Sequence, residues 1–485
     1  MSIVSKSIQI LRMAAAFLLL PLLASSCQWV TDDYDDETAN ISNAANYINI
    51  TVSISAASSP VTRAPLGGEY GDGAEMGNAA ENKVRNITLI FYEDATGINT
   101  SSDDARVACV KSYAVTPVSN YQPNSHDHKT EEPADVRANE VLYTTGDQRL
   151  DETTLQVGHT YKVIVAANVS LKVNVGDKIK TVRDTIFTST LYAVEEGIPT
   201  DFVMTSESDA TVSLTNPTKP SADENRFVYN FNCIHIERLA ARIDFWTKNS
   251  NGYKTSYATP GYEYTVKKPN GDDSADRFVL TRITPFNLNN GDEYMLKRTN
   301  DANPYLANET TSNWVVDPNT SGKNGSAHPN YIVSPLASVV STFTNDYTVT
   351  MEEKHTSAWS INERENFIVA YTKENTLRSD ATTPLYYYAT GLAFEGYYYA
   401  EGESQGVPRV YYYFIRHQGE SNDAYNTWTP ENINDAKTTM CPSTPAMNFG
   451  IVRNNIYRIS IETITEDAKI KVKMWDVFTH STIYM

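Results

Sequence analysis

The stretch Ile48-Asn49-Ile50-Thr51-Val52-Ser53-Ile54 alternates apolar and polar residues without a break. Side chains on a strand point to opposite faces in turn, so this run predicts a strand with one buried face. Four β-branched residues on that face are worth about 1.5–3 kcal/mol each, a gross term on the order of 6–12 kcal/mol. The same period of two recurs along the chain. Ile87, Leu89 and Phe91 show it, as do Tyr161, Val163 and Val165. Leu239, Ala241, Ile243 and Phe245 alternate with Ala240, Arg242 and Asp244. Tyr457, Ile459 and Ile461 follow, then Ile470, Val472 and Met474. From Leu385 to Arg416 four runs (Leu385–Tyr388, Leu392–Phe394, Tyr397–Tyr399 and Val410–Phe414) predict a meander with turns at the intervening glycines. No long stretch repeats at helical spacing. Short strands, 31 tyrosines and turn-rich gaps predict an all-β protein built of sandwiches.

A chain of 485 residues is too long for one small core and predicts roughly two to four domains. The polar stretch Trp246–Tyr253 suggests a boundary, giving units 64–248 and 249–485. A net charge of −19 argues against a nucleic-acid partner, because phosphate needs an excess of Lys and Arg.

Residues 1–26 read as an export signal: Lys6 and Arg12, then the apolar run Met13–Leu23, too short to span a bilayer. The end, Leu23-Ala24-Ser25-Ser26-Cys27, resembles a lipobox in which Cys27 becomes the lipidated first residue. Ala24 stands where that motif usually has Leu, and a plain secretory cut near Ser26 is the alternative. Residues 27–63 then form a propeptide. Its acidic run Thr31–Glu37 reads either as a solvated linker or as a tag resembling those that send lipoproteins to the cell surface. No later stretch is apolar for the roughly 18 residues a membrane helix needs, which excludes a multi-pass membrane protein.

Catalytic signatures are missing. There is no GxSxG, HExxH, P-loop lysine motif or ordered GxGxxG, so no enzyme and no cofactor are expected. Gly67–Gly77 reads as an acidic linker, Asp317–Gly322 as a turn lacking the Glu of a calcium loop, and His126-Asp127-His128 as a polar loop without a third metal ligand. Cys109, Cys233 and Cys441 lack any CxxC spacing and read as small buried residues, with one disulfide as the alternative. The tyrosine triplets read as sheet packing, with a sugar-stacking platform at Tyr397 or Tyr412 as the alternative.

Several stretches, in order, resemble the Bacteroidales fimbrillins, the major and minor (FimA- and Mfa-type) fimbrium subunits of type V pili. They are the lipoprotein start, Thr62-Arg63-Ala64, Asn82–Phe91, Tyr161–Asn168, Glu237–Ile243, Lys373–Thr376, Ile415–His417 and Gly450–Tyr457. The resemblance implies two transthyretin-like β-sandwich domains in tandem and assembly by strand exchange. A lipid-anchored precursor in the outer membrane is cut by an arginine-specific protease, here between Arg63 and Ala64. The first strand, carrying Ile48, Ile50, Val52 and Ile54, then leaves. The groove takes a strand from another copy or another fimbrial subunit. The tail Val477–Met485 is the donor candidate, with Val477, Ile483 and Met485 on one face. The expected role is a surface fimbrial subunit of stalk type. Anchor and tip subunits, or a non-polymerising surface lipoprotein that binds glycans, are the alternatives.

Overall fold

A computed structural model of the chain describes residues 45–54, 80–93, 104–118, 141–187, 190–206, 209–220, 226–247, 249–297, 318, 332–333, 336, 347–351, 360–362, 366–376, 388–415, 427–429, 450–465 and 470–477. Their regular structure is almost wholly β, with one short α-helix at Ile179–Arg183 and a 3-10 turn at Leu150–Glu152. Two large open sheets carry the fold. In the first, the strands run in the order Val107–Ala114, Asn86–Tyr92, Thr160–Ala167, Met204–Ser206, Arg226–Arg238, Ala45–Ile54, Val141–Thr144. In the second, the central order is Asn366–Thr372, Ala241–Trp246, Ile456–Thr465, Gly261–Lys267, Asp273–Phe286, Gly391–Tyr399, Val407–Phe414. The chain passes between the sheets at Leu239–Ala240, ahead of the polar stretch that suggested a boundary.

Several strands bury both faces rather than one. From Ile87 to Tyr92 every side chain is buried. In Ala241–Trp246 the supposed outer residues Arg242 and Asp244 are buried too, satisfied by each other. The alternation expected over Leu239–Phe245 therefore does not mark one long half-exposed strand. It begins only at Ala241, because Leu239 and Ala240 form the crossover.

The meander also differs from expectation. Leu392–Phe394 and Tyr397–Tyr399 are one strand, Gly391–Tyr399, paired from Gly391 opposite Phe414 to Tyr398 opposite Val407. Gly396 is no turn. A Cβ there would lie 2.2 Å from the Val279 carbonyl oxygen and 2.7 Å from the Phe278 ring. Here the glycine marks close approach within a sheet rather than a chain reversal. The reversal lies at 400–406, where Gly402 has φ +78°.

Candidate assembly site

The first strand, Ala45–Ile54, sits inside its sheet. It runs parallel to Arg226–Arg238, from Ala45 opposite Arg226 to Ile54 opposite Ile236. On its other side it is antiparallel to Val141–Thr144 and to Gln148–Arg149. Ile48, Ile50, Val52 and Ile54 are all at most 1% exposed and belong to the first core. The ladder on the antiparallel side breaks between Thr144 and Gln148, and side chains fill the gap. Ile50 N–H donates to Thr145 Oγ1 (3.0 Å), and Thr145 N–H donates to the Ile50 carbonyl (3.0 Å). Asn49 Nδ2 donates to Asp147 (3.0 Å), while Thr144 Oγ1 donates to Asn49 Oδ1 (2.7 Å). At the entry, the Arg226 guanidinium lies 4.5 Å from the Tyr47 ring centroid and pairs with Asp147.

Ile54 leaves the sheet opposite Ile236, and Arg238 Nε, two residues further on that strand, donates to the Glu81 carbonyl (3.1 Å). Two residues of strand span about 7 Å. Glu81 then closes the junction between the sheets. Its carboxylate accepts twice from Arg242 Nη1 (3.0 and 2.9 Å) and once from the Tyr371 hydroxyl. Burial pushes the Tyr371 hydroxyl up strongly, and the Glu81 charge adds to this.

A second buried cluster lies at the same junction. Arg453 donates to the carbonyls of Met295 (2.9 Å) and Tyr294 (2.6 Å) and to Glu374 (2.8 Å), and lies 3.5 Å from Glu293. Met295 N–H donates to the Thr185 carbonyl (2.9 Å) and its own carbonyl accepts from Thr205 Oγ1 (3.0 Å), so this strap grips the first sheet. Burial pushes the Glu293 carboxyl up, to about 8, against the pull of the Arg453 guanidinium. The stretches Glu237–Ile243, Lys373–Thr376 and Gly450–Tyr457, far apart in sequence, meet here. Arg238 Nη1 donates to Asn454 Oδ1 (3.1 Å), Asn454 N–H to the Ala240 carbonyl (2.9 Å), and Asn375 and Ile451 form a β-bridge.

Of the residues singled out in the sequence, the structure brings together Ile48, Ile50, Val52 and Ile54. Cys27, Arg63, Ala64, Ile483 and Met485 lie outside the described residues. Val477 ends the strand Ile470–Val477, its backbone opposite Tyr457. Cys109 is buried and unpaired. Tyr412 is fully buried beneath Phe286, 6.0 Å between ring centroids, so it offers no sugar platform. Sequence reasoning missed Thr145, Glu81 and Asn168, polar residues that each hold a partner more than thirty positions away.

No protein-family model matches the chain, and no curated protein sequence matches it. Among solved structures it is similar to a candidate cell adhesion protein from Parabacteroides distasonis, with TM-score 0.45 and 13% identity over 89% of this chain and 99% of that one. It is also similar to the tip fimbrial protein Mfa3 from Porphyromonas gingivalis (TM-score 0.40, 10% identity, 89% and 99% covered). A fimbrilin (FimA) from the same organism gives TM-score 0.34 and 13% identity, with 86% and 90% covered. These neighbours are fimbrial subunits and candidate cell adhesion proteins of the Bacteroidales.

Proposed function

We propose that the chain is a structural subunit, of stalk type, of a cell-surface fimbria. It is exported as a lipoprotein through Cys27, cut between Arg63 and Ala64, and polymerised by strand exchange between tandem transthyretin-like sandwiches. One observation carries this reading: Ala45–Ile54 occupies an interior place between two partners, and Ile48, Ile50, Val52 and Ile54 are buried in the first core. Its loss would open an apolar groove flanked by unpaired backbone groups of Arg226–Arg238 and Val141–Thr144, a surface that must be refilled. A strand from a second subunit refills it by β-augmentation, with backbone bonds for affinity and alternate side chains for register. Such a head-to-tail contact does not close on itself and builds a filament. Ile483 and Met485 of the tail are the proposed inserting residues.

The test is Arg63→Ala. The variant should accumulate as lipid-anchored monomers with the first strand in place. Filaments of normal length from it would remove the cleavage step from the account. Deleting Ser481–Met485 should stop polymerisation while the subunit still folds.

A further inference from the structure

The next arginine after Arg63 is Arg85, and Lys83 stands two residues before it. Both side chains are partly exposed, Arg85 at 47% and Lys83 at 38%. A protease that recognises only a basic side chain would find them. A cut after Arg85 would also remove Glu81 and Asn82. That would leave Arg242 with Asp244 but without the Glu81 carboxylate, and Arg238 without its hold on the segment. Something must make this bond unfit for cleavage.

An endoprotease draws several residues on each side of the scissile bond into its cleft as an extended strand, so the backbone there must be free. Around Arg85 it is taken. Arg85 N–H donates to Asn168 Oδ1 (2.9 Å), and the Arg85 carbonyl accepts from Val115 N–H (3.0 Å). The Lys83 carbonyl accepts from Asn168 Nδ2 (2.8 Å), and the same nitrogen donates to the Phe202 carbonyl (2.9 Å). Asn168 N–H donates to the Asn86 carbonyl (3.0 Å). Asn82 is held through its carbonyl by the Tyr143 hydroxyl (2.9 Å), and Val84 between the two basic residues is buried. Asn168 itself has φ 58°, a left-handed conformation that Asn tolerates, and this turns its amide back onto the 83–85 backbone. The side chains are tied as well, Arg85 to Asp201 (2.5 Å) and to Glu195, and Lys83 to Glu195 (3.0 Å). Exposed ion pairs hold weakly, so the backbone contacts carry the lock.

We propose that Asn168 is the positioning residue that confines arginine-directed processing to the chain ahead of Glu81, by clamping the backbone on both sides of Val84 so that the Arg85–Asn86 bond cannot enter a protease cleft. This rests on the cleavage proposed above, yet its test stands apart. The full chain is incubated with a purified arginine-specific endoprotease, and product N-termini are sequenced over time. Wild type should give products beginning at Asn86 only at a slow background rate while Ala64 termini accumulate. Asn168→Gly keeps the left-handed backbone and loses the amide. It should release Asn86 termini on the order of tenfold faster or more, as expected for losing three hydrogen bonds at once, two of them partly buried. Asp201→Asn, which removes the charge pairs to Arg85 and Lys83 and leaves the backbone contacts, should stay resistant.

Thermal melts before digestion establish that each variant is folded. Should Asn168→Gly not fold, Asn168→Asp keeps the acceptor for Arg85 N–H, loses both donors, and carries the same expectation. Asn86 termini from wild type at the rate of Ala64 termini, or Asn168 variants as resistant as wild type, overturn the proposal. So does Asp201→Asn opening the site as far as Asn168→Gly, since the lock would then be ionic. Absence of Ala64 termini sinks cleavage at Arg63 and leaves the Asn86 reading intact.

Discussion

Ile50 and Thr145 hold each other by two hydrogen bonds, one from each backbone N–H, where the regular ladder of the first strand is interrupted. The Thr145 hydroxyl accepts from Ile50 and donates onward to the Gly146 carbonyl (2.8 Å), so both its roles are filled. Thr145→Val keeps the shape and leaves the buried Ile50 N–H without an acceptor. The expected cost to the uncut chain is about 1–3 kcal/mol. A urea midpoint unchanged from wild type would show that the hydroxyl does not hold the strand.

Ile50→Ala probes the groove itself. Ile50 is 1% exposed, and truncating such a residue costs about 2–5 kcal/mol, through lost burial and the cavity left behind. That loss should appear in the unfolding of the uncut chain. It should vanish in protein that begins at Ala64, since the altered strand is no longer there. The same destabilisation in both forms would mean that the strand is not released.

The Ile48–Ile54 strand was legible because its period is strict and its polar residues are short. The both-face burial of Ala241–Trp246 was not legible. Arg242 and Asp244 read as an exposed face, and only their pairing with each other and with Glu81, far away in sequence, lets them be buried. Gly396 misled for a related reason. A glycine inside an aromatic run signals a turn or a close approach equally, and the Val279 carbonyl that decides between them comes from another strand. Asn168 stood inside a stretch marked by resemblance, yet the three partners of its side-chain amide are set by tertiary placement alone.

Gly396→Ala should therefore destabilise the second sheet. A Cβ 2.2 Å from backbone oxygen forces the strands Asp273–Phe286 and Gly391–Tyr399 apart, at a cost of about 1–3 kcal/mol or more. A lowered melting temperature checks this. An unchanged one would mean that the sheet accommodates the methyl group, contrary to the packing described.

The Glu293 carboxyl gives the junction a pH dependence. Burial raises it from its ordinary 4.5 to about 8 in the folded protein. The folded state thus binds this proton more tightly than the unfolded state. Its contribution is complete below about pH 4.5 and is lost as pH rises through about 8. Wild type should lose stability relative to Glu293→Gln across that window and run parallel to it above. Parallel melting curves from pH 4.5 to 8 would place the carboxyl at an ordinary value.

The most direct test of strand release is the N-terminal sequence and intact mass of the protein shed from cell surfaces in high-molecular-weight material. The account predicts chains beginning at Ala64, with the peptide bearing Ile48, Ile50, Val52 and Ile54 absent. Polymers built of chains that still carry a lipidated Cys27 and that strand would contradict it.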